Sequence, residues 1–279
     1  MKLLDGKKIA TDLRAQLKEK IENYPQKIGL AVVIVGEDPA SQIYVRNKVK
    51  ACESVGIISS VYALPETVSQ NDLEDLLSGL AKDSNVHGIL LQLPLPKGFD
   101  AESAMSKIPP EKDVDGFSAV DLGQLVLNKE RFVACTPLGV MKMLEYEQIE
   151  LTGKHAVVLG RSDTVGKPMA LLLLNANATV TICHSKTQNL QEICKTADVL
   201  VSAIGKAKFV TEDMVKDGAI VVDVGINRDE NGKLCGDVDF DNVSKKASYI
   251  TPVPGGVGPM TITMLLYNTY KAATLIHKE

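Results

Sequence analysis

Three apolar runs, IGLAVVIVG (28–36), IISSVYAL (57–64) and VHGILLQL (86–93), alternate with two amphipathic stretches, ASQIYVRNKVKACESV (40–55) and SQNDLEDLLSGLAK (69–82). Strand, helix, strand, helix, strand at a spacing of about thirty residues is the pattern of parallel strands joined by right-handed crossovers. A second series begins at HAVVLG (155–160) and runs through TVTICH (179–184), DVLVSAIG (198–205), AIVVDVGI (219–226) and the short SYITPVP (248–254), again with helical segments between. That half reads as a doubly wound sheet of its own. Aromatics make up only 4% of the chain and Trp is absent, a composition that suits parallel sheets covered by helices better than a sandwich.

Between the two series the periodicity stops. From Pro94 to Cys135 the chain is Pro-rich or charged, with LPLPKGF and IPPEKDVDGF, and this marks a functional loop region and a crossing between domains. Thr136-Pro137 is expected to open the next helix as N-cap and first-turn proline. The expected fold class is α/β with two domains: an N-terminal βαβ parallel-sheet domain over residues 1–118, and a Rossmann-like doubly wound domain over 138–260. The terminal helix, residues 261–279, is too long and too apolar on one face to stand alone and is expected to pack back on the first domain.

A formal charge of −4 argues against a nucleic-acid surface, which needs a basic excess or stripe. The opening MKLLDGKKIA has no signal-peptide core, and the longest apolar runs, such as MALLLL (169–174), fall far short of the roughly 20 residues that span a bilayer. Five cysteines, at 52, 135, 183, 194 and 235, are scattered with no C-x-x-C pair, which points to free thiols in a reducing cytoplasm. Cys183-His184 has no further Cys or His at zinc-ligand spacing, so no metal is expected.

The stretch GRSDTVGKP (160–168) follows the run HAVVL where a dinucleotide-binding turn would stand. Against the pattern G-x-G-x-x-G, Ser162 and Val165 replace the second and third glycines. Gly160 keeps the tight turn, Ser162 offers a hydroxyl donor, and Gly166 with Pro168 starts the next helix, whose N-terminus favours an anion. From this stretch alone a nucleotide turn and a plain strand-to-helix corner are both open. The next strand tips the balance. An NAD site carries an acidic residue there for the ribose 2′-OH, whereas this chain has His184-Ser185-Lys186-Thr187, which with Arg161 makes a polar, cationic pocket suited to a 2′-phosphate. The expected cofactor is NADP.

In the first half, ligands are expected beyond the carboxyl ends of the strands. On the helix after the first strand, Val45, Val49 and Cys52 form the expected buried stripe, flanked by Tyr44 and Lys48, which present a ring and an amine one turn apart. A boundary tyrosine beside a snorkelling lysine is the plainer reading. Gln92, in LLQLPLP, must satisfy its amide or lose ~1–3 kcal/mol, as a core network member or as a ligand contact. Asp113 and Asp115 sit in KDVDGF, where an ordinary turn also accounts for Asp115-Gly116. PVPGGVGPMT (252–261) combines prolines that fix the entry with glycines that let backbone amides approach a ligand; the alternative is a flexible loop.

As a set, YVRNKVKACESVGI, GILLQLPLP, PPEKDVDGF, TPLGV, GRSDTVGKPMA, CHSKT, DVGIN and ITPVPGGVGPMT, in this order from residue 41 to the final helix, resemble the bifunctional methylenetetrahydrofolate dehydrogenase/methenyltetrahydrofolate cyclohydrolase family. The resemblance implies that Tyr44, Lys48, Gln92 and Asp115 line a folate site in the first domain. Lys48 would be the main catalytic group, Tyr44 would pack on the folate rings, Gln92 would position the lysine and Asp115 would hold the pterin edge. Leu91, Leu93, Pro254, Gly255, Gly256, Gly258, Pro259 and Ile262 would border the substrate. Gly160, Arg161, Ser162, Val165, Gly166, His184, Ser185 and Ile226 would contact NADP. A fixed charge on Lys48 would oppose the methenyl cation formed on oxidation, so the resemblance implies a lysine that is neutral or shares its proton. It also implies a homodimer through the nucleotide domains. Two other readings keep the architecture: a different two-domain NADP dehydrogenase, shikimate-type or amino-acid, and a non-catalytic NADP-binding sensor.

Overall fold

The computed structural model describes residues 1–276. In chain order the elements of the first half are β1 (Lys2–Leu3), α1 (Gly6–Glu22), β2 (Gly29–Val35), α2 (Pro39–Val55), β3 (Ile58–Leu64), α3 (Gln70–Lys82), β4 (Gly88–Leu91), α4 (Ala101–Met105) and α5 (Ala119–Val126). The second half holds α6 (Cys135–Tyr146), β5 (His155–Leu159), α7 (Gly166–Asn175), β6 (Thr179–Cys183), α8 (Leu190–Lys195), β7 (Val199–Ser202), β8 (Ile220–Asp223), β9 (Asn227–Arg228), β10 (Leu234–Cys235), α9 (Phe240–Val243), β11 (Tyr249–Ile250) and α10 (Val257–Ile276). They form two compact units: one of Asp12–Gln124, Glu130–Cys135 and the segment from Ile262, the other of Met1–Thr11, Leu125–Lys129 and Thr136–Thr261.

The first unit holds a parallel sheet in the order β3-β2-β4. Six of the seven residues of the central strand β2 are buried, because a strand with neighbours on both sides and helices on both faces meets water nowhere. The edge strand β3 has no fully buried residue and leaves Ile58 and Val61 exposed. Behind β2 and β4, Ala31, Val33, Ile89 and Leu91 pack with Leu73 and Leu77 of α3.

Helix α2 starts where Asp38 accepts the Ser41 backbone N–H at 2.8 Å, with Pro39 in the first turn, and it ends at Gly56, whose φ of 89° suits glycine. Its buried positions are Ser41, Val45, Ala51, Cys52 and Val55. Val49, expected in that stripe, is only half-buried. The buried arc centres between Ser41 and Cys52, so at 3.6 residues per turn Lys48 falls inside it and Val49 at its rim. From Ile262 onward α10 joins this unit: Arg14 Nε donates to Thr263 Oγ1 at 2.8 Å, Tyr24 Oη to the Ala273 carbonyl at 2.9 Å and Tyr267 Oη to the Leu13 carbonyl at 3.3 Å.

The other unit is a six-stranded parallel sheet in the order β1-β11-β8-β7-β5-β6. Its outer strand β1 is two residues long, too short for an alternation to show in the sequence. Strands β7 and β8 are buried throughout. The helix expected from Thr136 begins at Cys135, so Thr136 lies within the first turn and does not cap it. Cys135 needs no cap for its own N–H, which donates to the Asp115 carbonyl at 3.3 Å.

Leu77 is fully buried between α3 and the sheet. Leu77→Ala is expected to destabilise the protein by about 2–5 kcal/mol, read as a lower urea midpoint at unchanged slope.

Candidate active site

Beyond the carboxyl end of β4 three of the expected residues meet. The Gln92 backbone N–H donates to the Val33 carbonyl at 2.8 Å, and its side-chain Nε2 donates to the Leu93 carbonyl at 2.7 Å. With its nitrogen so engaged, the amide turns its oxygen toward α2, where Lys48 Nζ donates to Gln92 Oε1 at 3.0 Å. Asp115 stands near enough to feel the same amine: burial pushes its carboxyl above the ordinary range and the Lys48 charge pulls it back. Tyr44, one turn before Lys48, is 37% exposed, so the residue is accessible to a ligand. Leu91 is buried in the core behind the site and Leu93 packs against that core.

The loop carrying Asp115 is shaped by its neighbour Asp113. That carboxylate accepts the backbone N–H groups of Phe117 at 2.9 Å and Ser118 at 2.6 Å. Burial, reinforced by the Asp115 charge, pushes Asp113 up to about 7 despite those donors. Gly116 has φ of 71°, and a Cβ there would fall 2.6 Å from the Val133 carbonyl carbon, so only glycine fits. The buried Cys135 thiol is pushed well above its ordinary value, which leaves it a protonated packing group.

In the other unit the stretch Gly160–Pro168 does turn a strand into a helix. A Cβ on Gly160, whose φ is 116°, would lie 2.3 Å from the Ala203 carbonyl oxygen, and one on Gly166 would lie 2.3 Å from the Gly160 carbonyl oxygen. Two glycines are therefore kept because backbone meets backbone. Within the turn Ser162 Oγ accepts the N–H groups of Val165 at 3.2 Å and Gly166 at 3.3 Å at the start of α7, and its hydroxyl hydrogen is used in neither bond.

Beside this turn lies a cavity of about 280 Å³ at the carboxyl ends of β5, β6 and β7, lined by Gly160, Arg161, His184 and Ser185 among the expected residues. Ile226 stands exposed after β8. His184 is fixed by its neighbours, its backbone N–H donating to Thr187 Oγ1 at 2.9 Å and its Nδ1 accepting the Lys186 N–H at 3.2 Å.

The far wall of the cavity, Ile204, Lys206 and Phe209, escaped the sequence reading. Its only signal was position, directly after the DVLVSAIG run. It is held by Asp237, fully buried, which accepts the backbone N–H groups of Ile204 at 2.8 Å, Gly205 at 3.3 Å and Lys206 at 2.9 Å, plus Ser202 Oγ and Asn227 Nδ2. Asp223 in turn accepts the N–H groups of Gly225, Asp237 and Val238, each at 2.9 Å, and burial raises it to about 6.

The glycine-rich stretch before α10 is fastened within its own unit. The Lys7 N–H donates to the Gly255 carbonyl at 2.9 Å, and Gly6 lies so close that a Cβ would sit 1.8 Å from the Gly256 carbonyl oxygen. Pro254 is exposed, and Gly258 and Pro259 fall in the first turn of α10. Residues 255–256 are thus held against the Gly6–Lys7 backbone, which weighs against a freely flexible loop.

Two family models cover nearly the whole chain: the catalytic domain of tetrahydrofolate dehydrogenase/cyclohydrolase over residues 4–115, and the NAD(P)-binding domain of the same enzyme over 134–277. The chain belongs to the tetrahydrofolate dehydrogenase/cyclohydrolase family. The first model ends on Asp115 and includes Tyr44, Lys48 and Gln92; the second includes every residue that lines the cavity. The bifunctional protein FolD of Campylobacter concisus is 58% identical over 276 residues, 98% of each chain. The crystal structure of the bifunctional dehydrogenase/cyclohydrolase FolD from Campylobacter jejuni superposes with a TM-score of 0.96 at 52% identity, over 99% of each chain. The Trypanosoma brucei dehydrogenase-cyclohydrolase, solved with NADP cofactor and inhibitor, gives 0.94 at 40% identity, covering 99% of this chain and 98% of that one. Membership at this length and identity sets aside both the shikimate-type reading and the non-catalytic sensor.

A carboxyl raised to about 7 is protonated in the fold and ionised in the unfolded chain between pH ~4 and 7, so the stability it contributes is present in acid and lost as pH rises through 7. Asp113→Asn keeps an oxygen for both N–H groups without the charge. Its stability relative to the native protein is expected to rise by about 2–4 kcal/mol from pH 4 to 8, measured by denaturant titration across that range.

Proposed function

We propose that Lys48, Gln92 and Asp115 form one folate site at which both family activities act on the same carbon. The first is oxidation of 5,10-methylenetetrahydrofolate to 5,10-methenyltetrahydrofolate; the second is hydrolysis of that product to 10-formyltetrahydrofolate. The observation that carries this reading is the Lys48 Nζ to Gln92 Oε1 bond of 3.0 Å beside a half-buried Asp115. NADP, when bound, accepts the hydride that leaves the methylene carbon. Tyr44 offers its ring to the folate and Asp115 a carboxyl to the pterin edge. Gln92, its amide fixed by the Leu93 carbonyl, holds Lys48 at one place, and the lysine can pass a proton to or from water as water adds to the methenyl carbon and the ring opens. The two steps balance as loss of a hydride, then gain of water and release of a proton.

The cavity in the second unit fits a dinucleotide with a 2′-phosphate. Its lining carries Arg161, His184, Ser185 and Lys206 and, among the described residues, no acidic one, and its turn admits backbone at Gly160 and Gly166. NADP is therefore preferred over NAD. A homodimer through this unit is supported by the open edge of β6, where Ile182 is 41% exposed, and by Leu174 on α7 at 55%. Five free cysteines are consistent with a cytoplasmic setting, and no helix of the described residues is long and apolar enough to cross a membrane.

Lys48→Met is expected to abolish 10-formyltetrahydrofolate formation while NADP still binds, followed by the loss of methenyl absorbance and by fluorescence titration of the cofactor. Hydrolysis at the native rate in that variant would overturn the assignment. Arg161→Ala is expected to weaken NADP by roughly tenfold or more with little change for NAD, since only the charge-assisted contact to the extra phosphate is lost. Equal effects on the two dinucleotides would remove Arg161 from the 2′-phosphate site.

A further inference from the structure

The loop bearing Asp115 is irregular, and its backbone is held from outside. Asn268, on α10 and 3% exposed, donates from Nδ2 to the Val114 carbonyl at 2.9 Å and to the Val133 carbonyl at 3.1 Å, with Cys135 Sγ at 3.6 Å. Val114 is the residue before Asp115. Val133 belongs to the segment against which Gly116, the residue after Asp115, packs without room for a Cβ. Cys135 closes the other side, its Sγ on the Val114 carbonyl at 3.3 Å and its N–H on the Asp115 carbonyl at 3.3 Å. One side-chain amide thus ties together the two strands of chain that hold Asp115. Val114 is fully buried and Val133 is 6% exposed, so neither carbonyl has ready access to replacement water.

We infer that Asn268 is a positioning residue of the folate site: by gripping the Val114 and Val133 carbonyls it sets the aim of Asp115 beside Lys48. The inference rests on Asp115 contacting folate, as proposed above. The contact is legible only in three dimensions, since Asn268 lies 154 positions from Val114 and sits in a helix otherwise read as apolar packing.

The experiment compares full-length Asn268→Ala, Asn268→Ser and Asp115→Asn for folate KM and kcat in the dehydrogenase reaction and for NADP affinity. Asn268→Ala is expected to raise the folate KM roughly tenfold, the effect of leaving the buried Val133 carbonyl without its donor and the Val114 carbonyl with only the weak Cys135 thiol. NADP affinity should stay native and kcat change by less than about threefold, because ground-state placement of the substrate is what is lost. Asn268→Ser, with one hydroxyl donor in the same space, should fall between. A native folate KM in Asn268→Ala overturns the inference. So does a parallel loss of folate and NADP affinity that Asn268→Ser does not lessen, which marks general damage. Should Asn268→Ala not fold, a native folate KM in Asn268→Ser overturns it alone. A native folate KM in Asp115→Asn rejects instead the role of Asp115 on which the inference stands.

Discussion

A carboxylate removed from water must be surrounded by donors or give up its charge, and in each unit of this protein that requirement shapes the loops that carry the chemistry. Asp113 gathers the N–H groups of Phe117 and Ser118 and so folds the turn on which Asp115 sits. Asp237 gathers those of Ile204, Gly205 and Lys206, and Asp223 gathers those of Gly225, Asp237 and Val238. The loops have no regular structure to satisfy their backbones, so a buried side chain does it for them. Glycine is the necessary companion: a Cβ on Gly225 would lie 2.2 Å from Asp237 Oδ1, and one on Gly236 would lie 1.9 Å from Asp223 Oδ2.

The same logic makes Lys48 usable. A lysine inside the buried arc of an amphipathic helix needs an acceptor, and Gln92 provides one whose direction is already fixed by a bond to its own strand. Asp115 is raised by burial and pulled back down by the Lys48 charge, so the carboxyl and the amine act on one another across the same site.

Much of this was legible in the sequence. The spacing of the apolar runs located every strand of the three-stranded sheet and all of the six-stranded sheet but the two-residue β1 to within a few residues, because a parallel strand buried on both faces needs an unbroken apolar run. The missing acidic residue after TVTIC spoke about the cofactor through charge alone. What escaped were features that depend on who faces whom. Val49 lies at the rim because the centre of the buried arc is set by what α2 packs against. Ser162 lends its oxygen to the first amides of α7, partners that the path of the turn decides. Lys206, Asp237 and Asn268 carry no local pattern, and their partners lie tens of residues or more away in the chain.

The sequence by itself determined the α/β class, the two series of strands, the family and the residue types that carry the chemistry, because periodicity, turn chemistry and charge are local properties. Tertiary structure decided which of those residues meet and in what orientation. Gln92 became the partner of Lys48 only when β4 aligned beside β2, and the backbone around Asp115 acquired its shape only when α10 brought a buried amide against it. The physical reason is that a hydrogen bond inside a protein is specified by position and direction together, and both are set by packing between segments far apart in the chain.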